Sequence, residues 1–167
     1  GIYGTSYELD YRRRCFSVIN DEKYTKCVNK SGGENMKITR EADYAVRVVY
    51  TIMQQGGKIS AREISENSGV TQRFALKILH KLTAAGIVQS YKGVNGGFAL
   101  GKAPEDISIG EIIEIIDGPF EIAQCLCEDF DCTRVQDKRI CQFRQIFDRA
   151  SRNLHDELHA IKMSQFQ

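Results

Sequence analysis

Apolar residues recur at helical spacing near the start of the patterned part of the chain. The stretch from Thr39 to Gln54 predicts an amphipathic helix whose N-terminus Thr39 caps and which the pair Gly56-Gly57 ends. A second, shorter helix is predicted after Ser60, because Ser60 and Glu63 stand at the spacing of a capping box. The two segments therefore predict consecutive helices joined by a short connection.

A third apolar stripe follows after a tight turn. The turn is Ser68-Gly69-Val70, in which the glycine allows a left-handed backbone conformation. The next helix is predicted from its cap, Thr71, to about Ala85. Helix, glycine turn and helix form the outline of a helix-turn-helix.

The residues after this helix have the pattern of a β-hairpin. Residues Ile87 to Tyr91 and Phe98 to Leu100 predict two strands, and the glycine-rich segment 92–97 predicts the turn between them. A hairpin directly after a recognition helix is a wing. The pattern thus predicts a mainly α winged helix-turn-helix with a small β-hairpin. The alternative is a hairpin that only packs against the core.

Two further helices are predicted in the second half of the chain. Ser108 caps a helix from Ile109 to Asp117, which Gly118-Pro119 stops. The last helix is predicted from about Gln142 to Met163. Its apolar residues step by three or four positions: Phe143, Phe147, Ala150, Leu154, Leu158 and Ile161. This stripe is long for the small domain that it must cover, which predicts packing against a partner subunit, partly as a coiled coil. The alternative is a helix folded back on its own domain.

These elements predict four segments. They are a weakly ordered leader at 1–35, a winged helix-turn-helix domain at 36–120, a cysteine-bearing sensor loop at 121–141 and a dimerisation helix at 142–167. The leader is polar and contains Gly32-Gly33-Glu34 shortly before Met36, a run that a purine-rich ribosome-binding sequence can encode. This suggests the hypothesis that Met36 is the native start and that the leader is not native.

Charge is segregated along the chain although the net charge is only +1. Residues 36–104 hold ten Lys/Arg against four Asp/Glu, whereas residues 105–167 hold seven against thirteen. A basic half suits contact with a polyanion; the alternative is chance patterning of solvated faces. No apolar run approaches the roughly 18 residues of a membrane-spanning helix, and residues 1–10 do not resemble a signal peptide. We therefore expect a cytoplasmic protein without membrane contact.

Several segments together resemble one known family. They are Met36-Lys-Ile-Thr-Arg-Glu-Ala-Asp-Tyr-Ala-Val-Arg47, Gln72-Arg73-Phe74, Leu79-His80-Lys81-Leu82, Ala85-Gly86-Ile87-Val88-Gln89-Ser90, Gly93-x-x-Gly96-Gly97-Phe98 and Ile109-Gly110-Glu111-Ile112-Ile113. The combination resembles the Rrf2-type regulators, to which IscR, NsrR and CymR belong. The resemblance implies a transcription regulator that binds a palindromic operator in double-stranded DNA as a homodimer held by the last helix.

A recognition helix places its N-terminal residues in the major groove of DNA. We expect base contacts there: Arg73 can fork onto guanine and Gln72 can pair with adenine. The alternative for Arg73 is a solvated side chain. Lys77 and Lys81 are expected to reach phosphates, which position the protein without reading sequence. Thr71 belongs to the same end of the helix, with capping as its second role.

The wing supplies the other predicted DNA contacts, namely Lys92, Asn95, Gly96 and Gly97. The glycines allow the turn and a close approach of the backbone to DNA. Lys92 departs from the family, which usually has arginine at this position. Because lysine is a compact point charge without a planar fork, we expect phosphate contact more than insertion into the minor groove.

The cysteines that precede the last predicted helix suggest a site that senses a chemical signal. Cluster-binding relatives place three cysteines before the last helix, and Cys125, Cys132 and Cys141 match them here, with Cys127 as an alternative first ligand. The resemblance implies a 2Fe–2S or 4Fe–4S cluster that makes the regulator responsive to redox state, iron or nitric oxide. The alternatives are a thiol or disulfide switch, zinc, or no metal. We expect acidic residues in the loop, such as Asp131, to disfavour thiolates when no metal is bound.

Three thiolates leave one iron position open. IscR-like members fill it with a histidine three residues after the last cysteine, where this chain has Arg144. NsrR-like members use an aspartate in the first helix of the partner subunit, and the resemblance assigns this role to Asp43, with Glu41 as a substitute. The alternative for Asp43 is compensation of the positive end of its own helix.

Other classes of function have less support in the sequence. His80, His155 and His159 lie on predicted helices without a nucleophile beside them, so we predict no catalytic residues and no enzyme. His155 and His159 have the spacing of a metal pair, but no third ligand is evident and a solvated helix face is the preferred interpretation. A regulatory protein partner is a further possibility, since the family includes a regulator that works with an enzyme.

Overall fold

The structure is a computed structural model that describes residues 38–93, 96–127 and 130–167. The predicted leader and the hypothesis about Met36 lie outside these residues. The described helices are α1 (Arg40–Gln55), α2 (Ala61–Ser68), α3 (Gln72–Ala84), α4 (Ile109–Asp117) and α5 (Gln142–Ala160). Strands β1 (Val88–Tyr91) and β2 (Gly97–Leu100) form an antiparallel hairpin directly after α3. The predicted fold class, mainly α with a hairpin wing, is confirmed.

Local hydrogen bonds explain where the helices begin. The Thr39 hydroxyl accepts from the N–H of Ala42 at 3.2 Å, and Ser60 and Glu63 form the complete capping box before α2. The Ser108 hydroxyl caps α4, as predicted, by accepting from the N–H of Glu111 at 3.0 Å. The prediction for Thr71 is wrong in one respect: it stands at the N-cap of α3, but its side chain makes no cap hydrogen bond. Thr71 is exposed, so water can satisfy the first amides of α3 instead.

The core forms around α1, which packs against α2, α3, α4 and β2. Its inner face consists of small and branched residues that are at most 1 % exposed: Ala42, Ala45, Val48, Val49 and Ile52. The alanines let neighbouring helices approach, while each buried valine or isoleucine contributes roughly 1.5–3 kcal/mol relative to exposure. The helix-turn-helix is therefore mounted on α1.

Backbone pairing between the wing and Ile59, which precedes α2, fixes the wing to the rest of the domain. Ile59 and Phe98 exchange two backbone hydrogen bonds, of 2.9 and 2.8 Å. A Cβ atom on Gly97 would lie 2.7 Å from the Ile59 carbonyl oxygen, and one on Gly96 would lie 2.5 Å from that of Tyr91. The protein's own backbone thus requires glycine at both positions, independently of any ligand.

The last helix is shorter than predicted. Instead of continuing to Met163, α5 ends at Ala160, and the chain then pairs with the segment before α4. The N–H of Ile109 donates to the carbonyl of Ile161 at 3.0 Å, and the N–H of Met163 donates to that of Ile107 at 2.9 Å. Burial of Met163 and these backbone bonds outweigh another helical turn. No described helix is both long enough and apolar enough to cross a membrane.

Candidate nucleic-acid interface and cysteine loop

The outward face of α3 carries the predicted base-reading residues. One face of this helix is buried through Ala75, Ile78, Leu79 and Leu82. The side chains on the opposite, exposed face are Gln72, Arg73, Leu76, Lys77 and His80. The structure therefore places Gln72, Arg73 and Lys77 together on one surface, next to the exposed Thr71.

Two members of this face were not predicted from the sequence. Leu76 and His80 follow Gln72 at intervals of four residues, so extending the helical spacing from Gln72 would have found both. Leu76 is 45 % exposed, which is unusual for a leucine in a helix that otherwise buries its apolar side. An exposed apolar side chain at this position suits contact with the methyl group of thymine.

An acidic residue of α1 holds the two lysines predicted to reach phosphates. Oε2 of Glu41 lies 2.9 Å from Nζ of Lys77, and Oε1 lies 2.7 Å from Nζ of Lys81. Burial alone would raise the pKa of Glu41. Hydrogen bonds from Lys81 and Lys77, together with their charges, outweigh burial and lower the pKa below its ordinary value of 4.5. The two lysines are thus fixed in place and partly neutralised within the protein.

The wing adds exposed cationic groups. Lys92 and Gly93 are exposed at its tip, and Gly93 has a φ of 101°, a left-handed conformation that favours glycine. The predicted contact Asn95 lies outside the described residues. Lys58, which the sequence did not single out, places Nζ 5.2 Å from the centroid of the Tyr91 ring and so extends the basic surface.

The cysteine loop contains three described free thiols: Cys125, Cys132 and Cys141. Cys125 lies in a short 3-10 turn, Gln124–Leu126, while Cys141 occupies the N-cap position of α5. All three are partly exposed, and in the described part of the chain their sulfur atoms do not all lie within 4.8 Å of one another. Cys127 is buried, with its sulfur 3.1 Å from Oε2 of Glu121. It is disulfide-bonded, so the prediction of Cys127 as an alternative first ligand is wrong: its sulfur is not available as a thiolate.

The environment of Cys132 favours the thiolate. The backbone N–H groups of Arg134 and Val135 lower the pKa of this thiol, with a smaller contribution from the charges of Arg134 and Lys138. This direction is opposite to the one expected from the acids of the loop. Hydrogen-bond donors folded around the sulfur have more effect than charges that are near only in sequence.

Arg144 and Asp43, the two positions considered for a fourth ligand, have different surroundings. Nη2 of Arg144 donates to the carbonyl of Leu126 at 3.4 Å, while its buried Nη1 has no hydrogen-bond partner among the described residues. Asp43 lies on α1 and forms an ion pair of 2.8 Å with Arg47, one turn further on. Arg144 therefore faces the cysteine loop of its own chain, whereas Asp43 is held on the DNA-binding half.

Comparison with known proteins gives a consistent result. The profile of the Rrf2 family, described as iron-dependent transcriptional regulators, matches residues 38–167. A Rhodobacter capsulatus protein named as an rrf2-like HTH-type transcriptional regulator is 33 % identical over 117 residues, covering 66 % of this chain and 78 % of that protein. The NsrR regulator of Bacillus subtilis is 33 % identical over 92 residues, covering 54 % of this chain and 63 % of its own length.

A solved structure supports the same fold. CymR of Bacillus subtilis, described as the global cysteine regulator, superposes with a TM-score of 0.63 at 19 % identity, covering 79 % of this chain and 96 % of that one. At this level of identity the likeness concerns the fold alone. The relatives by sequence are transcription regulators, so the chain is similar to regulators and not to enzymes.

The two ion pairs of Glu41 with Lys77 and Lys81, called the lysine clamp below, predict a pH-dependent contribution to the free energy of unfolding. Because the folded pKa lies below 4.5, this contribution is complete above 4.5 and is lost as pH falls through the folded pKa. The Glu41→Gln variant should therefore be less stable than the wild type near pH 7 and closer to it at about pH 2. Urea unfolding at both pH values measures this. Glu66→Gln, which removes a surface pair with Arg62, is the control and should change little. An equal stability gap at both pH values would contradict the clamp.

Proposed function

This chain belongs to the Rrf2 family of transcriptional regulators, and we propose that it binds a palindromic operator as a homodimer and senses its signal through the cysteine loop. The exposed face of α3, bounded by the basic wing, is the observation that carries the DNA-binding part. Thr71, Gln72 and Arg73 stand at the N-terminal end of that face, where a recognition helix meets base edges.

The proposed contacts divide into reading and positioning. Arg73 and Gln72 read bases through hydrogen bonds, and Leu76 adds apolar contact. Lys77 and Lys81 contact phosphates, for which they must exchange part of their pairing with Glu41. Lys92 contacts the backbone from the wing, with Lys58 beside it. Gly96 and Gly97, together with Asn95, complete the proposed wing contacts, although the glycines also have the structural role described above.

Replacing single side chains separates the two kinds of contact. Arg73→Ala should weaken operator binding by roughly 1–3 kcal/mol and relax the base preference, because a bidentate contact is lost. Lys77→Ala should weaken binding to operator and random DNA about equally and lower the salt slope by about one. Binding titrations at several salt concentrations measure both. Arg152→Ala, on α5, is the matched control and should leave binding unchanged. Identical effects of Arg73→Ala and Lys77→Ala on both DNAs would contradict the assignment.

Dimerisation through α5 is supported by what this helix leaves uncovered. Ser151 is the single buried residue of α5. Large apolar side chains lie exposed along it and just before it: Ile140, Phe143, Ile146, Phe147 and Leu154. Phe143 and Ile146 are 55 % and 51 % exposed, which is costly in water. A second copy of α5 would cover this stripe and set the spacing of the two recognition helices.

An acidic substitution tests the dimer. Ile146→Asp should convert the dimer into a monomer, because it places a charge in the proposed apolar interface. Sedimentation velocity of the full chain at several concentrations measures the change. Leu76→Asp is the matched control: it replaces an aliphatic side chain of the same size and similar exposure on α3, and it should leave the oligomeric state unchanged. A wild-type chain that remains monomeric, or an Ile146→Asp variant that remains dimeric, would contradict the interface.

The cysteine loop is proposed to hold an iron–sulfur cluster, 2Fe–2S or 4Fe–4S, through Cys125, Cys132 and Cys141. The donor chemistry fits: three free, partly exposed thiols are available, and Cys132 already favours the thiolate. Asp43 of the partner subunit is the proposed fourth ligand, which requires release of its pair with Arg47. Nη1 of Arg144, which has no hydrogen-bond partner in the described part of the chain, is a donor available to a negatively charged group in the loop. When bound, the cluster supplies sensitivity to iron, oxidants or nitric oxide.

In this proposal, few elements separate the cysteine loop from the DNA-binding helices. Cys141 is the N-cap of α5, so a change in what holds its thiol acts directly on the proposed dimer helix. A small rotation of that helix changes the separation of the two recognition helices, which must match half-sites about 34 Å apart or a multiple of it. The alternative function is a thiol switch without a cluster, or regulation by a protein partner. Of these two, the thiol switch is favoured by the backbone N–H groups that lower the pKa of the Cys132 thiol.

Anaerobic purification tests the sensor. The wild-type chain should be coloured and contain iron and sulfide, and Cys132→Ser should lose both, because a ligand is removed. Asp43→Ala should retain the colour but lose it faster in air. Thr133→Ala, next to Cys132 in the same loop, is the control and should behave as wild type. A colourless, iron-free wild-type protein with reversible thiol oxidation would favour the thiol switch.

A further inference from the structure

One group of metal-ligating side chains lies outside the proposed DNA and cysteine sites. Glu114 lies on α4, and His155 and His159 are one turn apart on α5. Among the described residues, this is the group whose three ligand atoms lie within 4.8 Å of one another. Nε2 of His159 is 3.0 Å from Oε2 of Glu114, and Nε2 of His155 is 3.9 Å from the same oxygen. The tertiary structure thus supplies the third ligand that the sequence did not reveal.

Both histidines are oriented by contacts to their other ring nitrogen. Nδ1 of His159 lies 3.3 Å from the hydroxyl of Ser108, and Nδ1 of His155 lies 3.0 Å from Oδ1 of Asp156. Each of these oxygens can accept a hydrogen bond from Nδ1–H, and Nε2 is then the ring nitrogen whose lone pair is directed towards Glu114. Histidines that bind metals in proteins usually have such a partner on the second nitrogen.

The backbone of α4 makes room for this arrangement. A Cβ atom on Gly110 would lie 2.4 Å from Cδ2 of His159, so only glycine lets the imidazole approach α4 this closely. Glu114 is only 15 % exposed, and its buried Oε1 has no hydrogen-bond partner among the described residues. A buried carboxylate oxygen without a partner costs free energy unless a cation or donor satisfies it.

We propose that Glu114, His155 and His159 form a binding site for a divalent first-row transition-metal ion. Two imidazoles and one carboxylate are a ligand set of zinc and of non-haem iron, and they leave further positions open to water. Ligand atoms around a tetrahedral metal at about 2.0–2.1 Å lie about 3.3 Å apart. The observed separations of 3.0 and 3.9 Å bracket this value, so small side-chain rotations complete the site.

A metal bound here would join α4 to the C-terminal part of α5. That junction already contains the backbone pairing of Ile161 with Ile109, so the metal would reinforce an existing contact. The site has nitrogen and oxygen ligands, whereas the cysteine loop offers thiolates at the opposite end of α5. The proposal is therefore independent of whether the loop binds a cluster.

The test uses the full chain with the four cysteines of the loop, Cys125, Cys127, Cys132 and Cys141, replaced by serine, so that thiolates of the loop cannot bind the probe. After treatment with a chelator and dialysis, calorimetric titration with Zn²⁺, and separately with Fe²⁺ without oxygen, should give one ion per chain. Co²⁺ should show ligand-field absorption without a thiolate-to-cobalt band. Glu114→Gln, which keeps the size and a hydrogen-bonding group, should weaken Zn²⁺ binding by at least about tenfold, as should His159→Gln.

His80→Gln is the matched control, because His80 lies exposed on α3 away from this group, and it should bind Zn²⁺ as the parent chain does. Asp156→Asn tests the orienting contact and should produce a smaller loss than Glu114→Gln. If His159→Gln does not fold, Glu114→Gln decides. Absence of Zn²⁺ and Fe²⁺ binding by the serine-substituted chain would overturn the proposal. Equal Zn²⁺ affinities of the serine-substituted chain and its Glu114→Gln variant would also overturn the proposal. They would indicate that Glu114 and the histidines contact each other without forming a metal site.

Discussion

Burial of one face of α1 is the constraint on which the rest of the structure depends. That face contacts α2, α3, α4 and β2, and its alanines and branched residues exclude water from the hydrophobic core between these elements. Because α1 is central, its outer residues are placed beside functional elements. Glu41 reaches the lysines of α3. Thr39 donates hydrogen bonds from its N–H, at 3.0 Å, and from its hydroxyl to the carboxylate of Asp117 at the C-terminal end of α4. Packing and electrostatics are therefore set by the same helix.

The lysine clamp gives the DNA-binding face a built-in competition. Lys77 and Lys81 pair with Glu41 in the free protein, so in the proposed complex with DNA the phosphates compete with this carboxylate. The contribution of these lysines to affinity is then smaller than that of free lysines, while Arg73 and Gln72 face no such competitor in the described part of the chain. This arrangement shifts the balance of the interface from sequence-independent attraction towards base recognition.

The last helix joins two chemically different ends. At its start are Cys141 and the exposed apolar stripe; near its end are His155 and His159, which face Glu114. The two ends are roughly 20 Å apart at 1.5 Å per residue. The thiolates at one end and the imidazole and carboxylate donors at the other prefer different metal ions. The two proposed sites can therefore bind their metals independently of each other. In the proposed dimer, the apolar stripe between them packs against a second subunit, and α5 then connects the proposed sensor loop with the DNA-binding half.

The sequence by itself determined the local elements, because their causes are local. Helical periodicity, the helix caps and the glycine turns placed α1 to α4 and the hairpin within one or two residues, and they located Gln72 and Arg73 at the start of α3. Only the tertiary structure decided the pairing of Glu41 with two lysines, the end of α5 at Ala160 and the meeting of Glu114 with His155 and His159. These contacts join residues 36 positions or more apart, whose approach depends on how whole helices pack and not on any spacing visible along the chain.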